Sequence, residues 1–296
     1  MSNRLNWDRD GRYWPNRASS RFVQAAHMRW HVQIMGDGPA IFLLHGTGAS
    51  THSWGRLAPL LAEHFTVVAP DLPGHGFNSA VASNRLSLPG MARSLNRLLG
   101  TLEIEPALAV GHSAGAAISV RMCLEGYIAP RALVSLNGAF LPFDGLAGHL
   151  FPTMAKLLFL NPLAPRVFAW GASDRSRIEK LIKETGSAID GTGVDLYQRL
   201  FRDRRHVAGA LGMMANWNLD ALNHDLSKLT APLTLVVGTA DKTVPPSTAD
   251  EVRKVLPTAT VDTLPGLGHL AHEESPEAVA EIILRAAREA ELLPAN

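Results

Sequence analysis

The five residues Gly111-His112-Ser113-Ala114-Gly115 constrain this chain more than any other feature. They follow an apolar run, 108–110, and lead into a segment of small residues, 116–124. A serine on a sharp strand-to-helix turn has a strained backbone, and the positions two before and two after it must be small. Gly111 and Gly115 meet that need, and Ala116 and Ala117 let the helix approach the strand. The pattern predicts that Ser113 is a nucleophile, with the helix N-terminus and the Ala114 N–H aimed at a reacting carbonyl. A Gly/Ala-rich turn without chemistry is the plain alternative for five residues taken alone.

The rest of the chain supplies the context. Apolar runs at 21–25, Met28–Met35, Ala40–Leu44, 66–69, 108–110, Ala132–Leu136, 233–237 and Thr260–Leu264 predict eight strands. Segments with helical spacing of apolar residues lie among them, at 86–102, 116–124, Thr248–Val255 and 276–292. Strands separated by helices imply an α/β fold, a mostly parallel sheet covered on both faces. One stretch breaks the rhythm: from Phe140 to Thr230 no strand pattern occurs, only helix-like segments rich in Leu, Phe, Met and Trp. The expected organisation is a core in two parts, 1–139 and 230–296, with a helical cap, 140–229, inserted after the sixth strand.

Composition narrows the function classes. Of 296 residues 46% are hydrophobic and 19% charged, which suits a chain with a sizeable core. The net charge of +1 offers no global field for nucleic acid. Cys123 stands alone, so neither an internal disulfide nor a cysteine-rich zinc site is available, and a reducing compartment is expected. The first residues are charged and aromatic where a secretory signal would be apolar. The nearest approach to a membrane span, 149–171, is broken by Lys156, Arg166 and three prolines. The expected location is the cytoplasm, with at most a peripheral membrane contact.

A serine hydroxyl is a poor nucleophile at neutral pH and needs a base, itself oriented by an acid. Where such a turn opens an α/β sheet, the acid precedes the base in the chain. Asp241 lies just beyond one apolar run, and His269, in Gly266-Leu267-Gly268-His269, just beyond the next. Asp144 is the rival acid and His272 the rival base. The developing oxyanion needs two donors, assigned to the backbone N–H groups of Thr47, in His45-Gly46-Thr47-Gly48, and Ala114. His45, His75 and His112 read as structural. His269 and His272 match no common zinc spacing, and no phosphate loop or dinucleotide fingerprint is present, so no metal or cofactor is expected.

These motifs resemble the α/β-hydrolase superfamily over nearly the whole chain, through His45-Gly46, Asp71-Leu72-Pro73-Gly74-His75-Gly76, the serine pentapeptide, Asp241 and Gly268-His269. The resemblance implies an eight-stranded, mostly parallel sheet with a helical lid. Within it, Trp14-Pro15-Asn16-Arg17, Ser20-Arg21-Phe22-Val23, Arg29-Trp30-His31-Val32-Gln33 and the run 45–54 resemble the hydrolase-like magnesium-chelatase accessory proteins of bacteriochlorophyll synthesis. That implies a photosynthetic bacterium and a role near magnesium insertion into protoporphyrin. Three readings stay open: an esterase acting on an apolar or tetrapyrrole substrate, a non-catalytic porphyrin carrier or chelatase chaperone, and a C–C bond hydrolase or cofactor-free haloperoxidase-like enzyme. Serine at position 113 argues against epoxide hydrolases and haloalkane dehalogenases, whose nucleophile is a carboxylate.

Two further expectations concern partners. Trp54, Leu157, Phe159, Met213, Met214 and Trp217 are candidates to line an apolar pocket, with Leu158 beside them. The head, residues 1–30, holds six arginines against Asp8 and Asp10 and three of the six tryptophans, Trp7, Trp14 and Trp30. It is a candidate contact for the chelatase or for an anionic group such as a porphyrin propionate. The alternative is that the tryptophans cover the sheet edge and the arginines stay solvated.

Overall fold

The structure is a computed structural model describing residues 4–141, 157–158, 160–161 and 163–294. Eight strands form one sheet: β1 (Ser20–Ala25), β2 (Met28–Met35), β3 (Ala40–Leu44), β4 (Thr66–Pro70), β5 (Leu108–His112), β6 (Ala132–Leu136), β7 (Leu233–Gly238) and β8 (Thr260–Leu264). Their order is β1-β2-β4-β3-β5-β6-β7-β8. The β1–β2 and β2–β4 pairs are antiparallel and the others parallel. β4, β5 and β7 each run one or two residues beyond their apolar stretch, because the ladder continues through Pro70, His112 and Gly238 before the backbone turns away.

The central strands are apolar throughout because both faces are covered. Successive side chains of a strand point to opposite faces, so Phe42 and Leu44 join one buried layer while Ile41 and Leu43 join the other. The first layer is closed by α3 (Leu88–Leu102) and α4 (Ala114–Leu124), the second by α2 (Leu57–Ala62) and α12 (Pro276–Glu289). α1 (Trp7–Asp10) belongs to the head. The Ser87 hydroxyl accepts from the Gly90 N–H, so α3 starts at Leu88 and not at 86. α12 ends at Glu289, three residues short of expectation. Glu291 takes a left-handed φ of 54° there, and the Leu292 N–H turns back to the Ala287 carbonyl at 2.8 Å.

Among the described residues, five α-helices labelled here follow β6 before β7: α5 (Ala164–Gly171), α6 (Arg175–Glu184), α7 (Gly191–Phe201), α8 (Arg204–Ala215) and α9 (Asp220–Asp225). α10 (Thr248–Val255) and α11 (Ala271–Glu274) belong to the core. No described residue between β6 and β7 is in a strand. Among the described residues the insertion therefore holds helices and no strand.

The head ties cap to core. Leu5 and Trp14 are buried with Phe77 of the core and Leu196 and Leu200 of α7, and Trp7 packs at their edge. The Trp14 Nε1–H donates to Thr51 Oγ1 at 2.9 Å, and the Leu5 N–H to the buried Asp203 carboxylate at 2.8 Å. Trp30 is wholly buried in β2, its Nε1–H on the Ala25 carbonyl. Several head arginines are engaged at home: Arg9 pairs with Asp10, Arg12 donates to the Asp8 carbonyl, and Arg17 lies 5.5 Å from the Trp7 ring centroid. The tryptophans thus cover and staple.

Candidate active site

Ser113 joins β5 to α4 with φ 51° and ψ −117°, a conformation that an L-residue adopts only under constraint. The constraint is visible on both sides. A Cβ on Gly115 would stand 2.0 Å from the Leu44 carbonyl oxygen, and one on Gly111 would stand 2.3 Å from the Ala116 nitrogen. The helix therefore sits closer to the sheet than any side chain permits. The elbow is held by hydrogen bonds from the Ser113 N–H to the Leu136 carbonyl, 3.0 Å, and from the Ala139 N–H to the Ser113 carbonyl, 3.2 Å.

The loop after β3 is pressed against this elbow. A Cβ on Gly46 would meet His112 Nδ1 at 2.8 Å and Ser113 Cβ at 3.1 Å. Neither the Thr47 nor the Ala114 N–H donates to an acceptor among the described residues; Ala114 follows Ser113 in the chain, and Thr47 follows the Gly46 that lies against it. His45 holds the loop, as expected. Its Nε2 accepts from the Leu72 N–H at 2.9 Å, which fixes the proton on Nδ1, and Nδ1 donates to the Gly46 carbonyl at 2.8 Å. Burial pushes its pKa down to about 3, so the ring stays neutral. The His75 and His112 rings likewise bond backbone carbonyls, of Pro73 and His269.

Asp241 and His269 meet. The His269 Nδ1–H donates to Asp241 Oδ2 at 2.8 Å, and both side chains are buried. Asp241 accepts three more hydrogen bonds: the Asn137 amide on Oδ2 at 2.6 Å, and the Thr243 and Val244 N–H groups on Oδ1 at 2.7 and 2.9 Å. A carboxylate so held fixes the imidazole tautomer and leaves the Nε2 lone pair to act as base. The Ser113 hydroxyl makes no hydrogen bond to His269 among the described residues. Such contacts are commonly long until substrate is bound.

The rival base is not placed to compete. The His272 ring is fully buried, 4.8 Å from the Trp54 ring and 4.4 Å from the His112 ring. Neither of its nitrogens has a hydrogen-bond partner, and burial pushes its pKa down to about 3. Asp144 lies outside the described residues.

Three residues escaped the sequence reading. Asn137, at a left-handed φ of 48°, bonds Asp241, the Gly268 carbonyl and the Gly238 N–H, and so joins the ends of β6, β7 and the histidine loop. Asp71 accepts from His31 Nδ1 at 2.9 Å and from the Thr51 and Phe77 N–H groups, and this binds the loop after β3 to the one after β4. These bonds and the neighbouring His31 outweigh its burial, and its pKa lies well below the usual carboxylate range. His206 of α8 accepts from the Gly76 N–H and donates to the Gly48 carbonyl, linking cap to the loop after β3. The Asn-Gly step after β6 and the run from Asp71 to Gly76 mark the first two in the sequence without giving them a role, and the long-range partners of His206 leave no signal in local pattern.

The expected pocket residues separate. Met213 is buried, with Sδ accepting from the Thr47 hydroxyl at 3.4 Å, beside the loop after β3. Met214 and Leu158 pack together with Val207 and Leu211 inside the cap. Trp217 is half-buried against the core layer that contains α4. Trp54 is a correction: the tight turn Thr51–Trp54 carries it into the layer with Leu57, Leu61 and Val279, where it is fully buried as core. Leu157 is a second, being 64% exposed on the cap surface. Phe159 lies outside the described residues. Among the described residues no three His, Cys, Asp or Glu side chains are grouped to hold a metal ion.

Comparison with known proteins agrees with this architecture. The model of the alpha/beta hydrolase family matches residues 41–282. The chain is 40% identical to the magnesium-chelatase 30 kDa subunit of Rhodobacter capsulatus, over 92% of this chain and 95% of that protein. Two solved structures share the fold at lower identity. An alpha/beta hydrolase fold protein from Burkholderia ambifaria has a TM-score of 0.75 at 20% identity, covering 90% of this chain and 99% of that one. A haloalkane dehalogenase variant from Bradyrhizobium elkanii has a TM-score of 0.75 at 22% identity, covering 92% and 97%. A strained serine elbow, an acid and a histidine at one sheet edge, and a family match spanning most of the sheet lead to one conclusion: the chain belongs to the alpha/beta hydrolase family.

Proposed function

We propose that this protein is a serine hydrolase with Ser113 as nucleophile, His269 as base and Asp241 as its orienting acid. The observation that carries the reading is the Asp241–His269 pair, bonded at 2.8 Å at the sheet edge where Ser113 is held in its strained turn. His269 Nε2 takes the Ser113 proton as Oγ attacks an ester carbonyl. The tetrahedral oxyanion receives the Thr47 and Ala114 N–H groups, each worth about 3 kcal/mol in the transition state. The intermediate collapses to an acyl-serine while His269 returns the proton to the leaving alcohol, and water then releases the acid by the same steps. No cofactor enters this chemistry.

The substrate we propose is apolar and of the tetrapyrrole class, and the role that of an accessory to magnesium chelatase in bacteriochlorophyll synthesis, in the cytoplasm. What supports this part is the extent of likeness to the chelatase 30 kDa subunit. The test is labelling by a fluorophosphonate probe together with hydrolysis of short-chain esters. Wild type should label and Ser113→Ala should not; equal labelling of both would end the nucleophile assignment. Protoporphyrin binding and co-purification with chelatase subunits test the second part.

A second reading is a porphyrin carrier or chelatase chaperone with an unused site, and what favours it is the likeness to a protein named as a chelatase subunit and not as a hydrolase. Protoporphyrin binding that survives Ser113→Ala, in a wild type that neither labels nor hydrolyses esters, would select it. A C–C bond hydrolase would label at Ser113 yet leave simple esters intact.

A further inference from the structure

α5 is built inside out. Its buried positions are the small ones, Ala164 and Ala169, whereas Leu163, Val167 and Trp170 are 58%, 62% and 74% exposed. These three stand at i, i+4 and i+7, so they share one helical face, opposite the alanines. Leu157 and Leu160, which precede the helix in the chain, are also exposed, at 64% and 67%. With Phe168 they make six of the eight large apolar side chains exposed among the described residues, gathered in fourteen positions of the cap. Scattered exposed apolar residues need no explanation, but one contiguous group marks an interaction surface.

Charge identifies the occupant. The cap, 140–229, carries eleven Lys and Arg against nine Asp and Glu, and the head, 1–30, six against two. The remainder of the chain carries eleven against sixteen. Head and cap adjoin through Leu5 and Asp203, and through Arg199, which stands 3.5 Å from Asp10. The positive excess therefore gathers on the part of the molecule that bears the apolar face, and the negative excess on the rest. A second copy seated cap to cap would bring the same positive sign to the same face. An anionic lipid surface brings the opposite sign and an apolar interior.

We propose that the outward face of α5 seats the cap on an anionic lipid bilayer, with basic residues of cap and head drawn to its headgroups. Tryptophan suits the depth at which headgroups meet acyl chains, and a short apolar stripe inserts only as far as that boundary. No helix among the described residues is long and apolar enough to cross a membrane, so the contact is a seat on the surface. The proposal does not rest on the chemistry of Ser113.

The test is pelleting with vesicles of phosphatidylcholine, with and without phosphatidylglycerol. Wild-type protein should pellet with the anionic vesicles and be released at high salt, since the headgroup attraction is screened. The double substitution Val167→Glu and Trp170→Glu should reduce the bound fraction about tenfold or more, because acidic residues at that face meet both lipid and like charge. Both residues are exposed, so melting temperature and fluorophosphonate labelling should match wild type. Three outcomes would overturn the proposal: wild type left in the supernatant, a variant that pellets like wild type, or self-association of wild type in solution that the same substitutions abolish.

Discussion

Glu273 offers the sharpest quantitative test. It lies in α11, four residues after His269, and its Oε1 accepts a 2.7 Å hydrogen bond from the Tyr197 hydroxyl of α7, so one contact joins core to cap. Its side chain is 9% exposed. Burial pushes its pKa up to about 8, the Tyr197 bond opposes this, and Asp190 and Glu274 add to it. The carboxyl is therefore protonated in the folded protein near neutrality, but ionised in the unfolded chain above its ordinary value of 4.5. The folded state holds more protons across that window, so stability falls as pH rises from 4.5 to about 8 and levels off above it. The shift spans roughly 3.5 units, which at 1.36 kcal/mol each gives an upper bound of about 5 kcal/mol. Local opening of the cap at Tyr197 limits the loss to about 3–5 kcal/mol. Glu273→Gln keeps the shape and cannot ionise. Near pH 5 it should melt with wild type; at pH 9 it should melt about 5–10 °C higher, at roughly 2 °C per kcal/mol for a chain of this length. The measurement is melting temperature for both proteins from pH 5 to 9. Curves that stay parallel would show that Glu273 is not buried as a neutral acid, and refute the reasoning.

Other outcomes follow from the site. Asp241→Asn should retain the fold and lower ester turnover by about 10⁴-fold, through loss of the tautomer that leaves Nε2 free; turnover within tenfold of wild type would displace Asp241 as the acid. Asn137→Ala removes a hydrogen bond to a charged acceptor, worth about 1.5–3 kcal/mol, so kcat should fall roughly 10- to 100-fold. Its pH profile should also shift, which a purely structural loss would not cause. Trp54→Ala should destabilise by about 3–5 kcal/mol as a core cavity, read from denaturant midpoints, with no change in the KM for a short ester. Gly115→Ala should fail to fold or lose all labelling at Ser113, because its Cβ would stand 2.0 Å from the Leu44 carbonyl; normal labelling of a stable Gly115→Ala protein would contradict the close approach of α4 to the sheet.

Local pattern alone located the eight strands and the serine turn. That was possible because each rests on short-range rules: alternating or continuous apolarity for buried strands, small residues where helix and strand touch, and turn residues where a strand ends. Asp241 and His269 were legible for the same reason, since each directly follows a strand and parallel strands deliver their C-terminal ends to one edge. Side-chain direction was not legible. Trp54 and Met213 are both large and apolar, yet a tight turn sends one under the sheet and a cap helix brings the other to Thr47 in the loop after β3. Apart from Phe77, six positions from Asp71, the partners of Asn137, Asp71 and His206 lie 20 to 158 positions away, and no local period encodes such pairings. Hydropathy likewise marked α5 as apolar but not which face it would bury. Only packing against the rest of the cap decided that the alanines go inward and Leu163, Val167 and Trp170 outward, because helix–helix distance is set by the side chains at the contact and small ones allow the closest approach.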